Sequence, residues 1–112
     1  MVITTTGKNG IRDLINTGKD YGQLGTDTTA ELESDTGLIA GVSATQQSLT
    51  SATSDKQIVL SYSLGSTTGN GNTYGEFENT VSSGTNFNRV TFATFSKTSA
   101  LEVQISTTVF IE

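Results

Sequence analysis

Leu101-Glu-Val-Gln-Ile-Ser-Thr-Thr-Val-Phe-Ile-Glu112 decides the fold. In an extended chain Leu101, Val103, Ile105, Thr107, Val109 and Ile111 share one face. Glu102, Gln104, Ser106 and Thr108 share the other, with Phe110 interrupting the polar side. A period of two is what a strand with one buried face requires. Upstream, Asn86 to Phe95 reads the same way, with Val90 and Phe92 on one face and Ala93 and Phe95 on the other. Ser96-Lys97-Thr98-Ser99 joins the two runs.

Working outward, Gln57 to Leu64 is a second clear strand, with Ile58, Leu60, Tyr62 and Leu64 opposite Val59, Ser61 and Ser63. A Gly/Asn/Thr loop, Gly65 to Asn72, leads to a strand over Thr73 to Val81, and Ser82-Ser83-Gly84 turns the chain. Leu38 to Thr50 reads as a further strand with a solvent face, and Ser54-Asp55 as a turn. Tyr21 to Gly25 is a short strand entering a polar, acidic loop, Thr26 to Gly37, with a turn at Ser34-Asp35-Thr36. Ile11, Leu14 and Ile15 stand at helical spacing, so residues 8–17 read as a short helix closed by Gly18. Such a short helix depends on docking its apolar face. Residues 1–6 read as an N-terminal arm or strand, and residues 20–112 hold the sheet strands. The expected architecture is all-β: one antiparallel β-sandwich domain over residues 1–112 with one short N-terminal helix.

Only 33% of the 112 residues are apolar, and roughly 30% are Ser or Thr. The core is therefore thin and built from β-branched side chains, which favour pleated, half-buried surfaces. A modest core raises the expectation that a neighbouring subunit covers part of it. The absence of Pro removes one device that protects edge strands.

The net charge is −5, and the six basic residues (Lys8, Arg12, Lys19, Lys56, Arg89, Lys97) are scattered. Binding to phosphates needs clustered cations, so neither nucleic acid nor an anionic membrane is an expected partner. No Cys means no disulfide framework and no thiolate metal site. Met1-Val-Ile-Thr-Thr-Thr carries no basic leader or apolar run, so the expectation is synthesis in a host cytoplasm without a signal peptide.

General acid–base work most often uses His, and there is none. Two carboxylates about 5 to 9 Å apart hydrolyse glycosides, and Asp27, Glu31, Glu33 and Asp35 are the only cluster to consider. They have no aromatic sugar platform beside them in the sequence. The same set lacks the spacing and Gly of an EF-hand, so the sequence leaves Ca²⁺ binding by the Asp27–Asp35 loop open, with a solvated acidic loop as the favoured reading. Gly69-Asn-Gly-Asn-Thr-Tyr-Gly75 has the wrong spacing and context for a dinucleotide fingerprint and reads as a hairpin connection. No catalytic, cofactor-binding or metal-ligating residue is assigned.

Three stretches together resemble a family of small tailed-phage virion proteins. These are Gly10-Ile-Arg-Asp-Leu-Ile15 followed by Tyr21-Gly-Gln-Leu-Gly-Thr-Asp-Thr-Thr-Ala30; Ser34-Asp-Thr-Gly-Leu38; and Asn88-Arg-Val-Thr-Phe92 with Ser96-Lys-Thr-Ser99 and the final alternating run. The family carries Gly where Asp27 stands and Pro where Glu31 stands. The resemblance implies a structural component located in the virion. The expected function is a non-enzymatic surface protein, a capsid decoration or short head spike, that self-associates and docks on the shell. The alternative is a tail, baseplate or fibre component with receptor or glycan binding. Expected partners are copies of itself in a symmetric oligomer, with a trimer as the working number, and major capsid or tail proteins. Candidate interface residues are Val2, Ile3, Phe87, Arg89 and Phe110, and Tyr74 is the candidate exposed loop contact; for Arg89 an ordinary cross-strand pair with Glu76 or Glu78 is the favoured reading.

Overall fold

Thr4 caps a helix that starts earlier than the apolar spacing suggests. Its Oγ1 accepts the Gly7 N–H at 3.1 Å, and α1 spans Thr5–Gly18. The computed structural model describes residues 1–112, and the arm is shortened to Met1–Thr4, outside any strand. Seven strands follow: β1 (Lys19–Gly25), β2 (Gln47–Ser48), β3 (Thr50–Ser54), β4 (Gln57–Leu64), β5 (Thr73–Val81), β6 (Thr85–Ser96) and β7 (Val103–Phe110). They form two antiparallel sheets, β2-β1-β5-β6 and β3-β4-β7. The expected strands over 57–64 and 73–81 match β4 and β5 residue for residue.

Leu38 to Thr50 is not the single strand its composition suggests. After an isolated pairing of Gly25 with Gly41, a 3₁₀ turn covers Ser43–Thr45 before the short β2 and β3. Thr45 Oγ1 accepts the Leu24 N–H at 2.9 Å and bonds the Val42 carbonyl at 2.6 Å. A side-chain hydroxyl thus replaces ladder partners and bends the segment.

The core lies where the two sheets face each other. β4 supplies Ile58, Leu60, Tyr62 and Leu64, all fully buried. Its neighbour β7 sets Val109, Thr107, Ile105 and Val103 directly beside them, so the terminal alternation holds over β7 with a half-buried inner face, while Leu101 lies before the strand and is exposed. The other sheet contributes Leu24, Tyr74 and Phe77. Tyr62 and Phe77 meet edge-on, with ring centroids 4.9 Å apart. Gly22 is required there, since a Cβ would stand 2.6 Å from the Tyr62 ring and 2.9 Å from Phe77. Asn79 Nδ2 reaches across to Thr107 Oγ1 at 2.9 Å and ties sheet to sheet.

β5 is buried on both faces. Its register against β6 shifts between Tyr74 and Glu76. That irregularity lets Tyr74 face the core while Glu76 and Glu78 face a loop that folds over the outside, and the Thr80 hydroxyl bonds the Tyr21 backbone of β1. With only eight apolar residues buried, the molecule is elongated. Its radius of gyration is 14.9 Å, against about 13 Å for a compact chain of this length.

Candidate functional site

α1 packs on β3 and β4, and it does so with its polar side. Asn9 Nδ2 donates to Asp55 Oδ1 at 3.2 Å, and Asn9 Oδ1 accepts the Lys56 N–H at 2.8 Å. Arg12 Nη1 donates to the Ser54 carbonyl at 2.7 Å, and Ser51 Oγ donates to Asn16 Oδ1. Asn9, Arg12 and Asn16 lie on one helix face, spaced by three and four residues. Asn9 and Arg12 satisfy the backbone of the β3–β4 turn, where Lys56 has φ +57°, and Asn16 holds the Ser51 side chain of β3.

The consequence is an inverted helix. Ile11 and Leu14 belong to the face expected to dock, yet Leu14 is 75% exposed and Ile11 40%. Ile15 is half-buried at the boundary. Ile3, Gly7, Ile11 and Leu14 follow a helical stripe that points to water, with Met1 and Val2 exposed beside it. The expected inward docking of this face is corrected: hydrogen bonds to the turn hold α1 instead. Sequence reading missed Ile11 and Leu14 as surface residues. The available signal was Asn9, Arg12 and Asn16 gathered on the opposite face.

Of the candidate interface residues, Val2, Ile3, Phe87 and Phe110 are exposed, Phe110 at 62%. They come from three separate parts of the chain. Val2 and Ile3 precede α1, Phe87 lies on β6, and Phe110 ends β7 beside Gln57. The Ile111 N–H donates to the Lys56 carbonyl at 2.9 Å, which brings the end of β7 to the turn that α1 holds.

Two candidates are corrected. Tyr74 is fully buried, not an exposed loop contact. Its hydroxyl donates to the Gly69 carbonyl, and its ring packs against Phe95 at 5.8 Å, so it anchors the Gly65–Asn72 loop from below. Lys97 Nζ holds the same loop from its other side through Asn70 Oδ1 at 2.8 Å and the Ser66 carbonyl at 3.3 Å. Arg89 is withdrawn from any subunit contact because its side chain is 1% exposed. It makes the cross-strand pair, Nε to Glu76 Oε1 at 2.9 Å.

That pair is the centre of a buried charge cluster. Arg89 also reaches Asp35 at 3.2 Å, Asp27 at 3.6 Å and the Thr29 carbonyl at 2.9 Å. Glu76 accepts the N–H groups of Ala40 (2.8 Å), Ile39 (2.9 Å) and Asp27 (3.1 Å). The loop neck is closed by Thr26 N–H to the Ala40 carbonyl at 3.0 Å. Residues 26–40 are therefore an Ω-type loop pinned to β5 and β6 by one buried carboxylate and one buried guanidinium. Burial alone would raise the Glu76 carboxyl. The amides of Ile39 and Ala40, then Arg89 and the Asp27 amide, outweigh it and hold the group below its ordinary value. Burial does raise Glu78, and the nearby Glu76 charge adds to it despite a hydrogen bond from Asn86.

The acidic loop thus directs two carboxylates onto Arg89, and the guanidinium stands where a cation would. No group of three or more His, Cys, Asp or Glu is arranged to hold a metal. Asp27 is lowered by hydrogen bonds from Thr29, and Glu31 by one from Thr91 Oγ1 at 2.6 Å. Beside the loop lies a cleft of about 470 Å³, lined by Glu31, Glu33, Asp35, Asn86, Phe87 and Arg89 among others. Folding brings Phe87 next to the acidic residues, supplying the aromatic neighbour that the local sequence lacks. Comparison with protein-family models, curated proteins and solved structures finds no match for this chain.

Proposed function

We propose that the protein is a non-enzymatic structural subunit of a tailed-virus particle, a head-decoration or short-spike component that works by self-association and docking onto a larger shell. The observation that carries this reading is the inverted helix. α1 is fixed to the sandwich by polar groups and offers Ile3, Ile11 and Leu14 outward. An apolar helical stripe beside an exposed Met1-Val2 arm is the pattern of a helix meant to pack on another. Covering Leu14 alone contributes about 1–2 kcal/mol per copy at the usual value for a buried Leu. The order of motifs along the chain supports the virion assignment, and the scattered cations suit no nucleic-acid role.

The test is the native mass by light scattering. Wild type runs above 11.7 kDa, the mass of one chain, and Leu14→Glu loses mass while keeping its far-UV spectrum. A stable wild-type monomer would contradict the reading. One observation favours a second reading, a tail or baseplate component that binds a glycan: exposed Phe87 flanks polar Glu33 and Asn86 in the 470 Å³ cleft. A glycan array without hits, or with hits that survive Phe87→Ala, would discard it.

A further inference from the structure

Each sheet of the sandwich has two edges, and three of the four are protected. β2 is two residues long. β3 lies under α1, which binds the Ser54 carbonyl and Ser51. β6 is broken by two register shifts against β5 and is tied to the covering loop through Arg89 and Thr91. Short length, a covering helix, bulges and inward charges are the recognised guards against strand addition. β7 has none of them. Val103–Phe110 holds no Pro and no charged residue, and its pairing with β4 runs without a shift from Leu64↔Val103 to Gln57↔Phe110. Its other side is unpaired.

We propose that β7 pairs with β7 of a second copy, antiparallel and centred on Ser106, so that two three-stranded sheets become one of six. A two-fold axis normal to the sheet keeps the core faces on one side, which requires core-facing residues to sit opposite core-facing residues. Centring on Ser106 sets Val103 beside Val109 and Ile105 beside Thr107 on the inner face. On the outer face it sets Gln104 beside Thr108. Sliding by one pair to centre on Thr107 would place Glu102 opposite Glu112, and like charges directly opposite are destabilising. Centring on Ile105 would leave Thr108, Val109 and Phe110 opposite residues outside the strand, so Ser106 is the centre that keeps both the pairing and the charges.

The open side of the sandwich adds apolar contact. Phe95, Leu101 and Val103 line a shallow cleft of about 330 Å³ between the ends of β6 and β7. Eight strand residues span about 27 Å, and two stacked sheets are about 20 Å deep with side chains. The contact is then about 500 Å² per copy, near the total of about 1,000 Å² that a specific interface needs. α1 packs on β3 and β4 and not on the free edge of β7, so the edge pairing and the outward helix stripe use different surfaces.

This inference rests on the self-association reading and is tested apart from it. Leu14→Glu removes the helix contact. The variant should fall to a dimer of twice 11.7 kDa, and Leu14→Glu with Ser106→Lys should fall to a monomer, because the two lysines would face each other across the axis. The chain has no Cys, so Ser106→Cys reports alone. Opposed strand residues lie within disulfide reach, and oxidation should give a covalent dimer on a non-reducing gel. A monomeric Leu14→Glu protein from an oligomeric wild type would overturn the edge pairing and leave the helix reading intact. So would mass gained only when a different protein supplies the strand. A monomeric wild type would remove both.

Discussion

Glu76→Ala probes the buried cluster where its cost can be counted. The substitution removes the acceptor of four donors: the N–H groups of Asp27, Ile39 and Ala40, and Arg89 Nε, all within 3.1 Å. Breaking a buried ion pair costs about 3–5 kcal/mol because the surviving charge is stranded. Arg89 keeps Asp35 at 3.2 Å and the Thr29 carbonyl at 2.9 Å, which sets the expectation at the lower end, about 3 kcal/mol. For a domain of this size that lowers Tm by roughly 10–20 °C. Urea unfolding followed by circular dichroism gives the free energy, and amide exchange at Ile39 and Ala40 gives the loop. Glu76→Ala combined with Arg89→Met should cost less than the sum of the single changes, since the two residues share one network. A loss under about 1 kcal/mol, the worth of one ordinary hydrogen bond, would refute the reasoning. Unchanged protection at Ile39 and Ala40 would refute it equally.

Gly22→Ala should destabilise by about 1–3 kcal/mol through overpacking, since its Cβ would stand 2.6 Å from the Tyr62 ring; a neutral result in thermal melting would show that the two aromatic rings give way. The two buried carboxyls oppose each other in pH. Glu76, lowered on folding, contributes stability that is present above its unfolded pKa and lost as pH falls through its folded value. Glu78, raised on folding, contributes stability that is present below its unfolded pKa and lost as pH rises through its folded value. Glu78→Gln should therefore raise Tm at pH 7 and lose that advantage at acid pH, while loop proteolysis of wild type should increase on acidification below the ordinary carboxyl range. A Glu78→Gln melting curve lower than wild type at pH 7 would contradict the burial argument.

Regular strands were legible because alternation and turn residues coincide there. Ile58, Leu60, Tyr62 and Leu64 alternate with polar neighbours, and Ser82-Ser83-Gly84 supplies three residues at positive φ for the turn. The helix starts before the first apolar residue at helical spacing, because the Thr4 cap holds a first turn that contains Gly7. Orientation was the larger error. An apolar stripe is expected to seek the core; the polar face of Asn9, Arg12 and Asn16 was visible, but its partners, the Lys56 N–H, the Ser54 carbonyl and the Ser51 hydroxyl, lie far along the chain. The burial of Glu76 and Glu78 is not written in their own strand. They are buried because Thr26–Ala40 folds over them, a contact decided by Arg89 from another strand. Tyr74 followed the same pattern, since an aromatic beside a Gly-rich loop looks exposed until the loop closes on its hydroxyl.

The central claim is that a second molecule covers the outward face of α1. Leu14→Cys places the chain's single thiol on the outward apolar face of α1, and the rate of its reaction with a water-soluble disulfide reads that cover directly. The account expects reaction at least about tenfold slower than in urea at high protein concentration, rising toward the unfolded rate on dilution. A thiol that reacts as fast as the unfolded control at every concentration would contradict it.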